Sequence, residues 1–102
     1  MPKTPNMYKC RVLDEQGREI RTIGPYGREG WALRNLYEAG DAGCTPIDHP
    51  GPRWSAYVHD LRHEFGLEIE TVTESHDGDF PGHHARYILR SKVAPLSEGG
   101  EA

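Results

Sequence analysis

Cysteine is scarce in this 102-residue chain. Cys10 and Cys44 are its only two, too few for a disulfide framework or a four-cysteine zinc site. Long apolar runs are missing as well. No stretch approaches the roughly 18 residues of a membrane span, and the opening MPKTPNMYK lacks the apolar segment of a secretion signal. These absences predict a cytoplasmic protein with reduced thiols and no membrane partner. A basic excess is lacking too: the formal net charge is -4, so total charge does not mark a nucleic-acid binder. Nor is there a glycine-rich phosphate loop, because GPYG at 24–27 has neither the lysine nor the spacing of one. Hydrophobic residues amount to 35% and mean hydropathy is -0.76. The apolar residues nevertheless recur with clear periodicity, which argues for one small folded core with polar ends.

The charge that is present is unevenly spread. Residues 1–37 carry seven basic side chains against four acidic ones, and residues 38–102 carry five against twelve. A bound polyanion would draw much of its attraction from the N-terminal third.

Residues 1–7 show no pattern and are expected to form a flexible tail. From Tyr8, the run YKCRVLD alternates, with Tyr8, Cys10 and Val12 on one face. A glycine in EQGR and the β-branched run EIRTIG complete a hairpin over 8–24. GPYG then leads into REGWALRNLYEAG, where Leu33, Leu36 and Tyr37 share a helix face and Gly40 is a stop signal. Trp31 lies off that stripe, either covered by the hairpin or exposed to a partner.

The most informative stretch is TPIDHPGPRWSAYVHDLRHEFG, residues 45–66. Thr45 can cap and Pro46 can open a helical turn over 46–49. Pro50 and Pro52 must then break the chain, and Pro52 can start the next helix, 52–65. The core face of that helix is Trp54, Val58, Leu61 and Phe65, spaced four, three and four apart, with Tyr57 on the flank. Beyond Gly66, residues 67–74 and 85–90 alternate as two strands around the loop HDGDFPGHH, with arginines of the second able to face glutamates of the first. The single domain is expected to span 8–93, and residues 94–102 to form a disordered tail.

Trp31 to Arg90 resembles the small winged helix-turn-helix domains of short bacterial and phage proteins. RWSAYVHDLRHEFGLEIETV looks like their arginine-led helix, glycine turn and isoleucine-glutamate-threonine strand, and ARYIL looks like the closing strand. The chain departs from that pattern at TPIDHPGP, where a fuller second helix without prolines is the norm. The resemblance implies an α+β winged helix-turn-helix, a three-helix core with a two-stranded wing, here preceded by the N-terminal hairpin.

On such a fold the helix 52–65 is the part that meets DNA, and Arg53, Ser55, His59 and Arg62 are its candidate donors to phosphate or base edges, with Arg86 and Arg90 on the wing. Asp60 and Glu64 share the outward face and oppose a polyanion. The competing assignment is a protein-interaction or self-association module with Trp31, Asp60, Glu64 and Phe80 at the contact. His59 and His63 have the i, i+4 spacing of a bidentate metal pair, and His83 or His84 could add a ligand. A hydrolytic zinc helix needs glutamate after the first histidine, where this chain has Asp60. Cys44 and His49 lack the further support of a catalytic dyad. No metal, cofactor or catalytic residue is assigned. The expectation is a non-enzymatic binder of double-stranded DNA, of the transcriptional-regulator or phage-accessory type.

Overall fold

The computed structural model describes residues 7–50, 53–76 and 82–96, with His76 described by its backbone alone. The N-terminal hairpin pairs β1 (Cys10–Leu13) with β2 (Glu19–Ile23) antiparallel, and the register shifts between Val12 and Leu13. Its turn is built by Asp14, whose carboxylate accepts from the backbone N–H of Gln16 and of Arg18, both at 2.9 Å. Cys10, Val12 and Ile23 point inward and are buried, as the alternation predicts.

The hairpin is not an appendage. A further strand at the far end of the chain, β5 (Lys92–Pro95), pairs antiparallel with β1 and makes a three-stranded sheet of order β2-β1-β5. This strand was not expected, and it reaches two residues into the stretch assigned to a tail from Ala94. Pro95 is tolerated because β5 is an edge strand, where a missing N–H leaves no ladder bond unmade.

Helix α1 (Gly27–Ala39) buries Gly30, Ala32, Leu33 and Leu36. Tyr37, placed on the core face by the spacing, is 42% exposed, because the buried stripe lies toward Ala32. Gly40 (φ 59°) ends the helix, its N–H bonding the Leu36 carbonyl. After a short 3-10 turn (Gly40–Ala42), Cys44 exchanges two 2.8 Å backbone hydrogen bonds with Tyr87 of β4 (Gly82–Leu89). Gly43 makes this approach possible: its φ is 73°, and a Cβ there would lie 2.7 Å from the Tyr87 carbonyl oxygen.

Among the described residues, the expected three-helix core has two α-helices. Between Cys44 and Pro50 the chain makes a single turn, in which Thr45 Oγ1 accepts from Asp48 N–H at 2.9 Å and the Thr45 carbonyl from His49 N–H at 2.8 Å. The cap forms as predicted, but Pro50 disfavours helical geometry at His49 and the turn does not propagate.

Helix α2 (Trp54–His63) buries Trp54, Tyr57, Val58 and Leu61. The Trp54 indole N–H donates to the His49 carbonyl at 2.6 Å, fastening the helix to the preceding turn. Gly66 (φ 66°) terminates it in the left-handed region that favours glycine, and the Leu67 N–H reaches back to the Leu61 carbonyl at 3.1 Å. The ribbon follows: β3 (Ile69–His76) pairs antiparallel with β4, from Ile69↔Leu89 to His76↔Gly82. One core joins sheet, helices and ribbon. At its centre Trp54 stacks on Tyr87 (5.9 Å, 17°) and meets Trp31 at 5.4 Å and Tyr57 at 6.4 Å. Trp31 is thus covered largely by α2 aromatics. Among the described residues no helix is long and apolar enough to cross a membrane.

Candidate nucleic-acid interface

With its core stripe committed, α2 leaves Ser55, His59 and His63 exposed and Asp60 half-buried, flanked by exposed Arg53 and Glu64. Arg53 stands immediately before the first helical residue. Its backbone carbonyl accepts from Ala56 and Tyr57 N–H, while its side chain makes no hydrogen bond or ion pair among the described residues. Ser55 lies beside it. These two and His59 are the predicted donors that the fold brings together on an open surface.

The other three predicted donors are committed within the molecule. Arg62 is half-buried and turned toward the ribbon, where it donates to the Ile69 carbonyl and to Thr71 Oγ1, the latter at 2.7 Å. Arg86 donates to Glu74 Oε2 and to the Ala42 carbonyl, each at 2.6 Å. Arg90 pairs with Glu70 at 2.6 Å and with Asp41 at 3.5 Å. Cross-strand pairing of arginine with glutamate is what the alternation predicts, and here it neutralises the ribbon's cations. The Arg86 guanidinium, followed by His84, holds the Glu74 carboxyl below the usual carboxylate range, and Glu74 raises Arg86 in return.

Acidic charge gathers toward the C-terminal half of α2, and part of it comes from a residue that the sequence did not single out. Glu29 of α1 lies against Asp60 across the helix pair, and Glu64 is close enough to act on Glu29. The interaction between these two carboxyl groups pushes Glu29 up and Asp60 down, with His59 adding to the lowering of Asp60, so the two titrate as a coupled pair. Nothing in the letters links positions 29 and 60; only the packing of α1 on α2 does.

Among the described residues the histidines form no ligand set. His59 and His63 lie with ring centroids 4.3 Å apart, and His59 Nδ1 is 3.4 Å from Asp60 Oδ1. His84 Nε2 is 3.1 Å from Glu74 Oε1 on the ribbon. Among the described residues, no three His, Cys, Asp or Glu side chains are grouped as a metal site. Cys44 is buried, and burial pushes its thiol up to about 11, which leaves little thiolate for nucleophilic chemistry. Of the residues assigned to a protein contact, Trp31 is half-buried against Trp54 and Tyr57, Asp60 is held by Glu29, Glu64 is exposed, and Phe80 lies outside the described residues.

What remains is a surface graded along one helix. Its N-terminal end offers a free guanidinium, a hydroxyl and an imidazole, and its C-terminal end carries the carboxylates. At 1.5 Å rise per residue, Asp60 sits about 10 Å along the axis from Arg53.

A family model described as a winged helix domain matches residues 22–99, from within β2 through β5. No curated protein and no solved structure matches the chain.

Proposed function

The chain belongs to the winged helix domain family, and from that premise we propose that it binds double-stranded DNA through the N-terminal end of α2, without catalysing a reaction on it. The supporting observation is the exposed Arg53 at the start of that helix, whose side chain makes no hydrogen bond or close ion pair among the described residues, with Ser55 beside it. In helix-turn-helix docking, the first residues of the reading helix approach the base edges while flanking elements touch phosphate. The charge gradient suits that pose. Arg53 leads and Asp60 trails about two turns behind, near enough for Arg53 to help lower the Asp60 carboxyl. Because Arg86 and Arg90 are neutralised by ribbon carboxylates and by Asp41, the wing contributes little charge and binding depends mainly on the helix. Such a protein acts where DNA is, in the cytoplasm, as a regulator or as an accessory factor of the kind phages use.

Fluorescence anisotropy of a labelled duplex at low salt tests this reading. Binding that weakens as salt rises and on Arg53→Ala supports it. No binding to any duplex at low salt refutes it.

A second reading has its own observation. Glu29, Asp60 and Glu64 place acidic charge on the same helix pair, a surface suited to a basic protein partner. Sedimentation as a clean monomer, with or without basic candidate partners, counts against it.

A further inference from the structure

A cleft of about 340 Å³ opens on the side of α1 that carries Trp31. Met7 and Tyr8 form one wall, just ahead of β1, and Arg28, Gly30, Trp31 and Arg34 form the other. The glycines at 27 and 30 carry no side chain into its mouth. Each arginine lies against an aromatic ring: the Arg28 guanidinium is 5.7 Å from the Trp31 ring centroid, and that of Arg34 is 5.3 Å from the Tyr8 centroid. Neither arginine has a carboxylate within ion-pair distance among the described residues. Tyr8 adds no negative charge, since burial pushes its phenol up to about 12.

We propose that this cleft binds a small ligand consisting of a planar aromatic ring that carries a carboxylate or a phosphate. Tyr8 and Trp31 line the cleft with aromatic surface beside the two guanidiniums, against which a planar body can pack. Guanidinium groups held over rings keep their planar donor forks available for a carboxylate or phosphate. The cleft lies at the small end of ligand-site volumes, about 300–1,000 Å³, which suits one ring system with one anionic group. A free aromatic acid and a mononucleotide share that chemistry. The site is separate from the open face of α2, although its Trp31 wall packs on Trp54 at the start of that helix.

Titration of the full chain in the absence of DNA, followed by two-dimensional amide and indole N–H spectra, tests the proposal independently of DNA binding. The probes are indole-3-acetate and adenosine monophosphate, with indole and adenosine as uncharged counterparts. Trp31→Phe assigns the two indole signals. A charged probe is expected to shift the Trp31 indole and Gly30 amide saturably, while Trp54, 3% exposed, follows only weakly. Arg28→Ala and Arg34→Ala should each weaken that binding about tenfold, the scale of a lost charge-assisted hydrogen bond. Their spectra elsewhere report whether the fold is kept. The probe that binds identifies the source. The proposal is overturned if neither charged probe shifts Trp31 by about 10 mM, well past millimolar affinity. It is equally overturned if the uncharged counterparts bind as well, or if both arginine variants bind like the parent.

Discussion

Replacing Arg53 with alanine should change the salt dependence of DNA binding by an amount that follows from the ion-pair pattern. Among the described residues, three arginines on or against α2 have no carboxylate within ion-pair distance and so keep their charge, even where the guanidinium is engaged by neutral acceptors: Arg53, Arg62 on Ile69 and Thr71, and Arg21 on the Phe65 carbonyl. If all three neutralise phosphate, the logarithm of affinity falls with the logarithm of salt at a slope of about -2.7. Raising salt from about 50 to about 200 mM then costs roughly 40-fold in affinity, and without Arg53 the slope relaxes to about -1.8 and the cost to roughly 12-fold. Arg90→Ala is the control. Because Arg90 is already engaged with Glu70 and Asp41, its loss should leave the slope unchanged even if it lowers affinity. Anisotropy titrations of one duplex across the salt range read both quantities. A slope unaltered by Arg53→Ala, or relaxed equally by Arg90→Ala, would refute the assignment of α2's N-terminal end as the contact.

Other expectations concern stability. Trp54→Ala should cost about 3–5 kcal/mol by denaturant unfolding, a large part of the roughly 5–15 kcal/mol that holds a small domain. Trp54→Phe keeps most of the ring but strands the His49 carbonyl, at about 1–3 kcal/mol; no measurable change would contradict the role given to the 2.6 Å indole bond. Gly43→Ala combines a left-handed backbone with a Cβ driven against the Tyr87 carbonyl and should destabilise by about 2–4 kcal/mol; an unshifted urea midpoint would exclude that contact. Glu74 has a lower pKa folded than its ordinary 4.5, so its contribution is present above about pH 4.5 and is lost as pH falls through the folded value. Melting temperature should therefore drop in acid, and Glu74→Gln should flatten that part of the profile; an identical acid limb in the variant would remove Glu74 from the account.

Helix α2 was legible because Trp54, Val58 and Leu61 repeat at a helical period that no strand could bury on one side. The ribbon was legible for the converse reason, since Ile69 and Tyr87 sit in strict alternation with charge. Strand β5 was not. Four residues with one buried apolar position, Val93, and a proline carry too little periodic signal to stand out. The second helix of the expected core failed through the local chemistry that had been noted, as Thr45 capped a turn that Pro50 then stopped. The site divided differently. Exposure of Arg53 and Ser55 follows from their place opposite the buried stripe. The fates of Arg62, Arg86 and Arg90 depend on partners across the ribbon or on another element, and the Glu29–Asp60 pair depends on how two helices meet. Such contacts are set by packing and register, which single-residue character does not encode. Of the cleft beside α1, the spacing placed only Trp31 off the core face; what Arg28 and Arg34 lie against depends on packing with Trp31 and Tyr8.

The pairing of β1 with β5 ties the beginning of the domain to its end. β1 can zip to β2 within a few residues, yet its other edge waits until the rest of the fold has formed and Lys92–Pro95 arrives. Contacts between such distant segments are entropically slow to close and raise the contact order of the whole domain. Until then the hairpin presents a free row of backbone donors and acceptors beside the apolar side chains of Cys10 and Val12, which is a template for pairing with another chain. Clipping the chain before Lys92 would make that transient exposure permanent. The last short strand thus acts as a latch whose loss would surface first as self-association, before any change at α2.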